Sequence, residues 1–236
     1  MTHSQAAEGR MALAWDFPTR AFKWTLVALV ASAWASNKFG AATPNWHKWS
    51  GYAILVLIVF RLLWGFAGGS TARFGNFIRG PRSVLNYGLA ILRGQPVKYL
   101  GHNPLGALMV VALLVLLGAQ SVLGLYAGDE DRIIIDGPLA RTVSDATVAF
   151  AARWHHRLFD LLKIVIVLHV LANVVATFVK KEPLIQGMAT GYKPAERYVD
   201  AAEARPGSIV AALACLAVSI ALVFGGIIAL GGKISF

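Results

Sequence analysis

The sequence predicts an all-α membrane protein with five transmembrane helices, and three observations carry that prediction. First, 57% of the 236 residues are hydrophobic and only 14% are charged, against roughly a quarter charged in an average soluble domain. A mean hydropathy of +0.60 over 25.3 kDa exceeds what a globule of that size can hide, because such a globule still exposes much of its surface. Second, five apolar stretches reach the ~20 helical residues that cross a ~30 Å hydrocarbon core. Third, the basic residues gather in alternate loops. The composition excludes a soluble enzyme, a disordered tail and a disulfide scaffold, since Cys215 is the single cysteine and lies in an apolar run.

The five spans are expected at residues 17–36, 47–66, 104–126, 153–178 and 208–230. The third and fifth are uninterrupted apolar runs, while the first, second and fourth carry ionisable side chains. Residues 1–16 form an N-terminal segment that bears Glu8, Arg10 and Asp16 and does not resemble a removable signal peptide. Residues 80–93 read as a basic surface helix on anionic lipid. Residues 127–152 hold Asp129, Glu130, Asp131, Asp136 and Asp145. They are expected to carry a short amphipathic helix built on Leu139, Val143, Val148 and Phe150. Most tryptophans fall near span ends, as interfacial belts require.

Lysine and arginine set the orientation. Arg10, Arg20 and Lys23 precede or open the first span. Arg73, Arg79, Arg82, Arg93 and Lys98 follow the second, and Lys180, Lys181, Lys193, Arg197 and Arg205 follow the fourth, thirteen in all. The opposite side holds four: Lys38, Arg132, Arg141 and Lys233. The positive-inside rule therefore puts the N-terminus in the cytoplasm and the C-terminus outside. The formal charge of +10 is explained by topology, and no nucleic-acid partner is expected.

Six histidines are present. His3 lies on the terminus and is given no role. His47 opens the second span and His155 the fourth, each preceded by tryptophan and each on the outer side. His169 lies well inside the fourth span, where a polar ring facing lipid is costly. Fourteen residues bring His155 within ~40° of His169 around the helix and ~21 Å away along it, whereas His156 falls ~140° from His169. One stripe thus presents two imidazoles at two depths. Iron in b-type haem takes axial imidazoles, and a helical bundle can hold the flat macrocycle between facing helices. Two stacked histidines would serve two haems stacked across the membrane. Taken singly, His47 and His155 also read as polar residues at the headgroups, and His169 as a ring bonded to a backbone carbonyl or hydroxyl. Zinc is a weaker competitor, since cysteine ligands are lacking and the acids cluster in loops.

Five motifs carry a family resemblance: Asp16-Phe17-Pro18-Thr19-Arg20, Trp46-His47-Lys48-Trp49-Ser50-Gly51-Tyr52, Phe60-Arg61-Leu62-Leu63-Trp64-Gly65-Phe66, Gly101-His102-Asn103-Pro104-Leu105-Gly106 and Thr190-Gly191-Tyr192-Lys193. In this order, over roughly residues 14–194, they resemble the bacterial cytochrome b561 family, which includes the b-type cytochrome subunits of nickel-iron hydrogenases. The resemblance implies a four-helix transmembrane bundle holding two b haems over residues 17–194. Residues 195–236 then supply a linker and a fifth, C-terminal transmembrane helix. It implies His47 and His155 as ligands of an outer haem and His169 on one face of an inner one. Where family members have histidine in the first helix, this chain reads Phe22-Lys23-Trp24. Lys23 either ligates the inner iron as a neutral amine, which needs a desolvated pocket, or snorkels to the cytoplasmic surface.

Arg61, fourteen residues after His47, either meets propionates of an inner haem or anchors the end of its span. Arg157, beside the outer site, has the same two readings. His102 either meets a quinone headgroup or caps a helix. Lys163 lies in the fourth span three residues after Asp160, so an i,i+3 ion pair is expected. The function expected is a multi-pass cytochrome of the bacterial inner membrane. It would pass electrons between a periplasmic redox protein, such as a c-type cytochrome or a dehydrogenase or hydrogenase subunit, and the quinone pool. Two rivals are a quinone oxidoreductase acting on a small molecule such as superoxide at the outer haem, and a haem-free membrane anchor. A positive pocket built from Lys48, Arg153 and Arg157 would favour the first.

Overall fold

The computed structural model describes residues 9–39, 44–128 and 136–234. Strand β1 (Met11–Leu13) leads into helices α1 (Phe17–Phe39), α2 (Pro44–Ala67), α3 (Phe74–Phe77), α4 (Pro81–Leu92), α5 (Pro104–Tyr126) and α6 (Asp145–Val174). A π-helical turn over Val175–Val179 extends α6, and α7 (Leu184–Thr190), β2 (Tyr192–Pro194) and α8 (Ile209–Ala229) follow. Among the described residues, four helical stretches are long and apolar enough to cross a membrane: Asn45–Ala67, Pro104–Tyr126, Asp145–Val179 and Ile209–Ala229. Helix α1 forms where the first span is expected, yet its arginine, two lysines, threonines and serines keep its hydropathy below the level the other four reach.

Two other expectations change on the fold. Residues 127–152 hold no separate amphipathic helix among the described residues. A short 3-10 turn covers Ala140–Thr142, and α6 already begins at Asp145, where Ser144 Oγ accepts the Thr147 N–H at 3.3 Å. No proline or glycine separates Phe150 from Arg153, so the amphipathic turns run straight into the span. His155 consequently lies ten residues inside its helix, not at its start. The acids Asp129, Glu130 and Asp131, with Arg132, lie outside the described residues, as does His3. The surface helix expected at 80–93 is α4, with Pro81 in its first turn, where proline's missing N–H costs nothing.

Contacts divide the described chain into two compact units. One unit holds the described residues of 1–21 with 63–112 and 168–213. Here β1 pairs antiparallel with β2, Met11 opposite Pro194 and Leu13 opposite Tyr192. Ala12, Ala14, Trp15, Leu100 and Tyr198 form its core. Asp16 caps α1 by accepting the Thr19 N–H on Oδ1 at 3.0 Å, and its Oδ2 accepts the Gly207 N–H at 3.0 Å. The Trp64 indole donates to Thr19 Oγ1 at 3.1 Å. Gly191, at φ 92°, ends α7, and its carbonyl accepts the N–H groups of Ala14 and Trp15; a side chain there would meet the Trp15 carbonyl. Lys193 is buried, donates to the Leu100 carbonyl at 2.9 Å and lies over the Trp15 and Tyr198 rings. The conspicuous motif residues at both ends of the resemblance thus serve one folded knot.

The other unit holds residues 22–62 with the described parts of 113–167 and 214–236. Ile54 and Ile58 of α2, Leu117 of α5 and Leu162 of α6 form a buried cluster, against which Leu26, Leu29 and Val30 of α1 pack. Four helices therefore share one apolar centre. On the other side of α2, Tyr52 and Val56 pack with Val223 and Ile227 of α8. The C-terminal end of α8 also holds the segment that precedes α6, since the Lys233 N–H donates to the Pro138 carbonyl at 3.3 Å.

Candidate functional site

Within the second unit a cavity of about 430 Å³ lies between α1, α2, α5 and α6, inside the range typical of small-molecule and cofactor sites. His47 and His155 both line it. Their ring centroids are 6.1 Å apart and the ring planes cross at 77°. The Nδ1 of His47 lies 3.0 Å from the Ala33 carbonyl of α1, and the Nδ1 of His155 lies 3.0 Å from the Gln120 carbonyl of α5. A carbonyl only accepts, so each Nδ1 carries the proton and each Nε2 keeps its lone pair. This is how a metal-binding histidine is held: the outer nitrogen is tethered and the inner one aimed.

The walls fit the rings. A methyl group on Gly124 would come within 3.1 Å of the His155 Cε1, whereas one on Gly51, a turn along α2 from His47, would meet nothing. The Tyr52 hydroxyl and the Gln120 side-chain oxygen are both buried at this cavity and lack a hydrogen-bond partner among the described residues. Ser32 and Ser50 join α1 to α2 through their hydroxyls at 3.2 Å. Buried polar atoms are rarely left unsatisfied, so the two orphans mark where a ligand with polar edges belongs.

Comparison with known families shows what kind of protein carries this site. The family model of prokaryotic cytochrome b561 matches residues 14–191. The chain belongs to the prokaryotic cytochrome b561 family. No curated protein and no solved structure matches it. Members of that family are membrane b-type cytochromes that bind haem and transfer electrons, and the four apolar helices of this chain suit a multi-pass membrane protein. The match stops before α8.

A b haem asks for two facing imidazoles in an apolar slot, and the cavity meets that demand. An imidazole nitrogen sits about 2 Å from a bound transition metal, and the ring centroid about 1 Å further back. Two rings sharing one iron therefore have centroids about 6 Å apart, close to the spacing of His47 and His155. His156 is also 6.2 Å from His155, but adjacent residues on one helix diverge by ~100° and cannot face each other.

The remaining candidates are distributed as follows. Lys48 and His156 line the cavity. Arg157 instead lies over the Trp154 ring at 5.7 Å, and Arg153 is exposed. Lys23 is half-buried on α1, and Arg61 is buried on α2 at 3% exposure. In the first unit His169 is half-buried; the Asn173 amide lies 3.3 Å from its Nε2 and donates to its carbonyl at 2.8 Å. His102 is held between the rings of Trp15 and Phe77, each at 4.7 Å between centroids. It lines a polar cavity of about 100 Å³ with Arg79, Tyr99 and Asp200. Helix capping nearby falls to Asn103, whose Oδ1 accepts the Gly106 N–H at 2.8 Å. Sequence reasoning missed Tyr52, Gly124 and Gln120. The signal for Gln120 is its amide, the one long polar side chain in the apolar run of α5.

Proposed function

We propose that this cytochrome b561 passes electrons between a periplasmic redox protein and the membrane quinone pool. His47 and His155 would hold an outer haem. The observation that carries this reading is the pair of imidazoles 6.1 Å apart, each tethered at Nδ1 to a backbone carbonyl. Bound haem supplies reversible one-electron chemistry. The chain's own residues do the rest. The Ala33 and Gln120 carbonyls fix the tautomer and the ring orientation, and Gly124 leaves the His155 ring room to turn toward His47. Tyr52 and Gln120 offer polar contacts at the cavity edge.

His169 is proposed as one ligand of an inner haem and Lys23 as the other, with Arg61 toward its propionates. His102, gripped by two aromatic rings beside a polar cavity, is proposed as the quinone-side proton group. Helix α1 is proposed to cross the membrane beside the other four, in the cytoplasmic membrane of a bacterium. Of the three cations whose convergence would favour a small anionic substrate, Lys48 alone lines the outer cavity. That supports docking of a redox protein over superoxide-type chemistry, and Asp136 and Asp145 on the outer segment would steer a basic partner.

A pyridine haemochrome assay on purified protein tests the reading. About two haems per chain are expected, with one lost on His47→Ala or His155→Ala. Colourless wild-type protein would overturn it.

A further inference from the structure

Helix α6 carries a charge pair that electron transfer does not use. Lys163 Nζ lies 2.9 Å from Asp160 Oδ1, and the two side chains are 51% and 72% exposed. Lys163 also sits 5.5 Å from the Phe159 ring. The surface around them is apolar and open: Leu161, Ile164 and Val167 are each about half exposed. Both charges fall within Asp145–Val179, the helical stretch that is long and apolar enough to cross a membrane. Charged side chains within a membrane span are costly in lipid and normally face protein or water. A surface that carries them wants a cover of matching charge.

Helix geometry says what matches. Residues three apart are separated by about 60° around the helix and about 4.5 Å along it. Two copies of one membrane protein share an orientation, so a closed pair is related by a two-fold axis along the membrane normal, with the same patch on both sides. Let the line between the two helices bisect the Asp160–Lys163 pair. Asp160 then falls on one side of that line and Lys163 on the other, and a half-turn exchanges the sides. Asp160 thus faces Lys163 of the partner subunit, Lys163 faces Asp160 of the partner subunit, and like charges lie on the diagonals. The four-carbon arm of lysine spans the 4.5 Å offset, and it already leans toward the helix N-terminus to reach Asp160. Neither intrahelical pair need break, because a carboxylate has two oxygens and an ammonium three donors. We propose that this face of α6 docks a second copy of the chain, through a ring of two Asp160 and two Lys163 side chains.

The test is the oligomeric state of the full chain in lipid nanodiscs and mild detergent, by native mass spectrometry. Wild type should be a dimer. Asp160→Lys and Lys163→Asp should each weaken it by about tenfold or more, and an equimolar mixture of these two variants should regain a mixed dimer. Retained helical circular dichroism shows that each variant is folded. Should either single variant fail to fold, the uncharged pair Asp160→Asn and Lys163→Gln should still weaken the dimer. A monomeric wild type, dimers unaffected by charge reversal, or folded single variants that do not pair with each other would each overturn the proposal.

Discussion

Lys193 lies buried with its ammonium over two aromatic faces, and that burial lowers its pKa from 10.5 to about 8 despite the opposing pull of Glu182 and Asp200. Below pH 8 the folded and unfolded chains both hold the proton, and the fold bears the cost of a buried charge. Between about 8 and 10.5 the unfolded chain binds more protons, so stability rises with pH across that window. The thermal unfolding midpoint should therefore climb from pH 8 to pH 10, and Lys193→Met should flatten the climb. Gly124 gives a second residue-scale prediction. A methyl there presses the His155 ring, and moving that ring off its rotamer costs enough to weaken haem retention roughly three- to tenfold in Gly124→Ala. The Soret absorbance per milligram of protein reads this directly. The histidine pair was legible in the sequence because Trp-His recurs at two span edges. The glycine and the Gln120 carbonyl that seat the pair were not, since a residue's backbone partner on another helix leaves no local trace.

Among the elements, α1 depends most visibly on its first turn. Asp16 satisfies the Thr19 N–H and the Gly207 N–H together. Asp16→Ala removes both acceptors, at a cost of about 2 kcal/mol, seen as a fall of roughly 4–8 °C in unfolding midpoint. The apolar helices were legible from hydropathy alone. Two things were not. The start of α6 lies well before the span expected for it, because amphipathic and transmembrane turns share one helical period and no breaker separates them. The β1–β2 pair is three residues on each side, too short for an alternating pattern, and its register is set by a contact distant in sequence. The side chains of α8 that grip α2 at Tyr52 read in the sequence as a plain anchor, because a uniformly apolar helix does not say which face it packs.

For the molecule as a whole, the alternation of basic loops leads us to propose that the C-terminus lies outside. A reporter enzyme that works only outside the cytoplasm should be active when fused after Phe236 and silent when fused before Met1. The haem count belongs to this scale too. If Lys23 binds the inner iron, Lys23→Ala should change or remove the corresponding low-spin spectrum while leaving the outer haem intact. The β1–β2 pairing also bears on how the molecule is made. Leu13 meets Tyr192, so β1 emerges from the ribosome long before its partner exists. At roughly 5–20 residues per second, the first strand waits about ten to forty seconds, until nearly every span has been threaded. A chain that stalls during translation before β2 would hold that unmated edge open, a ready mark for quality control.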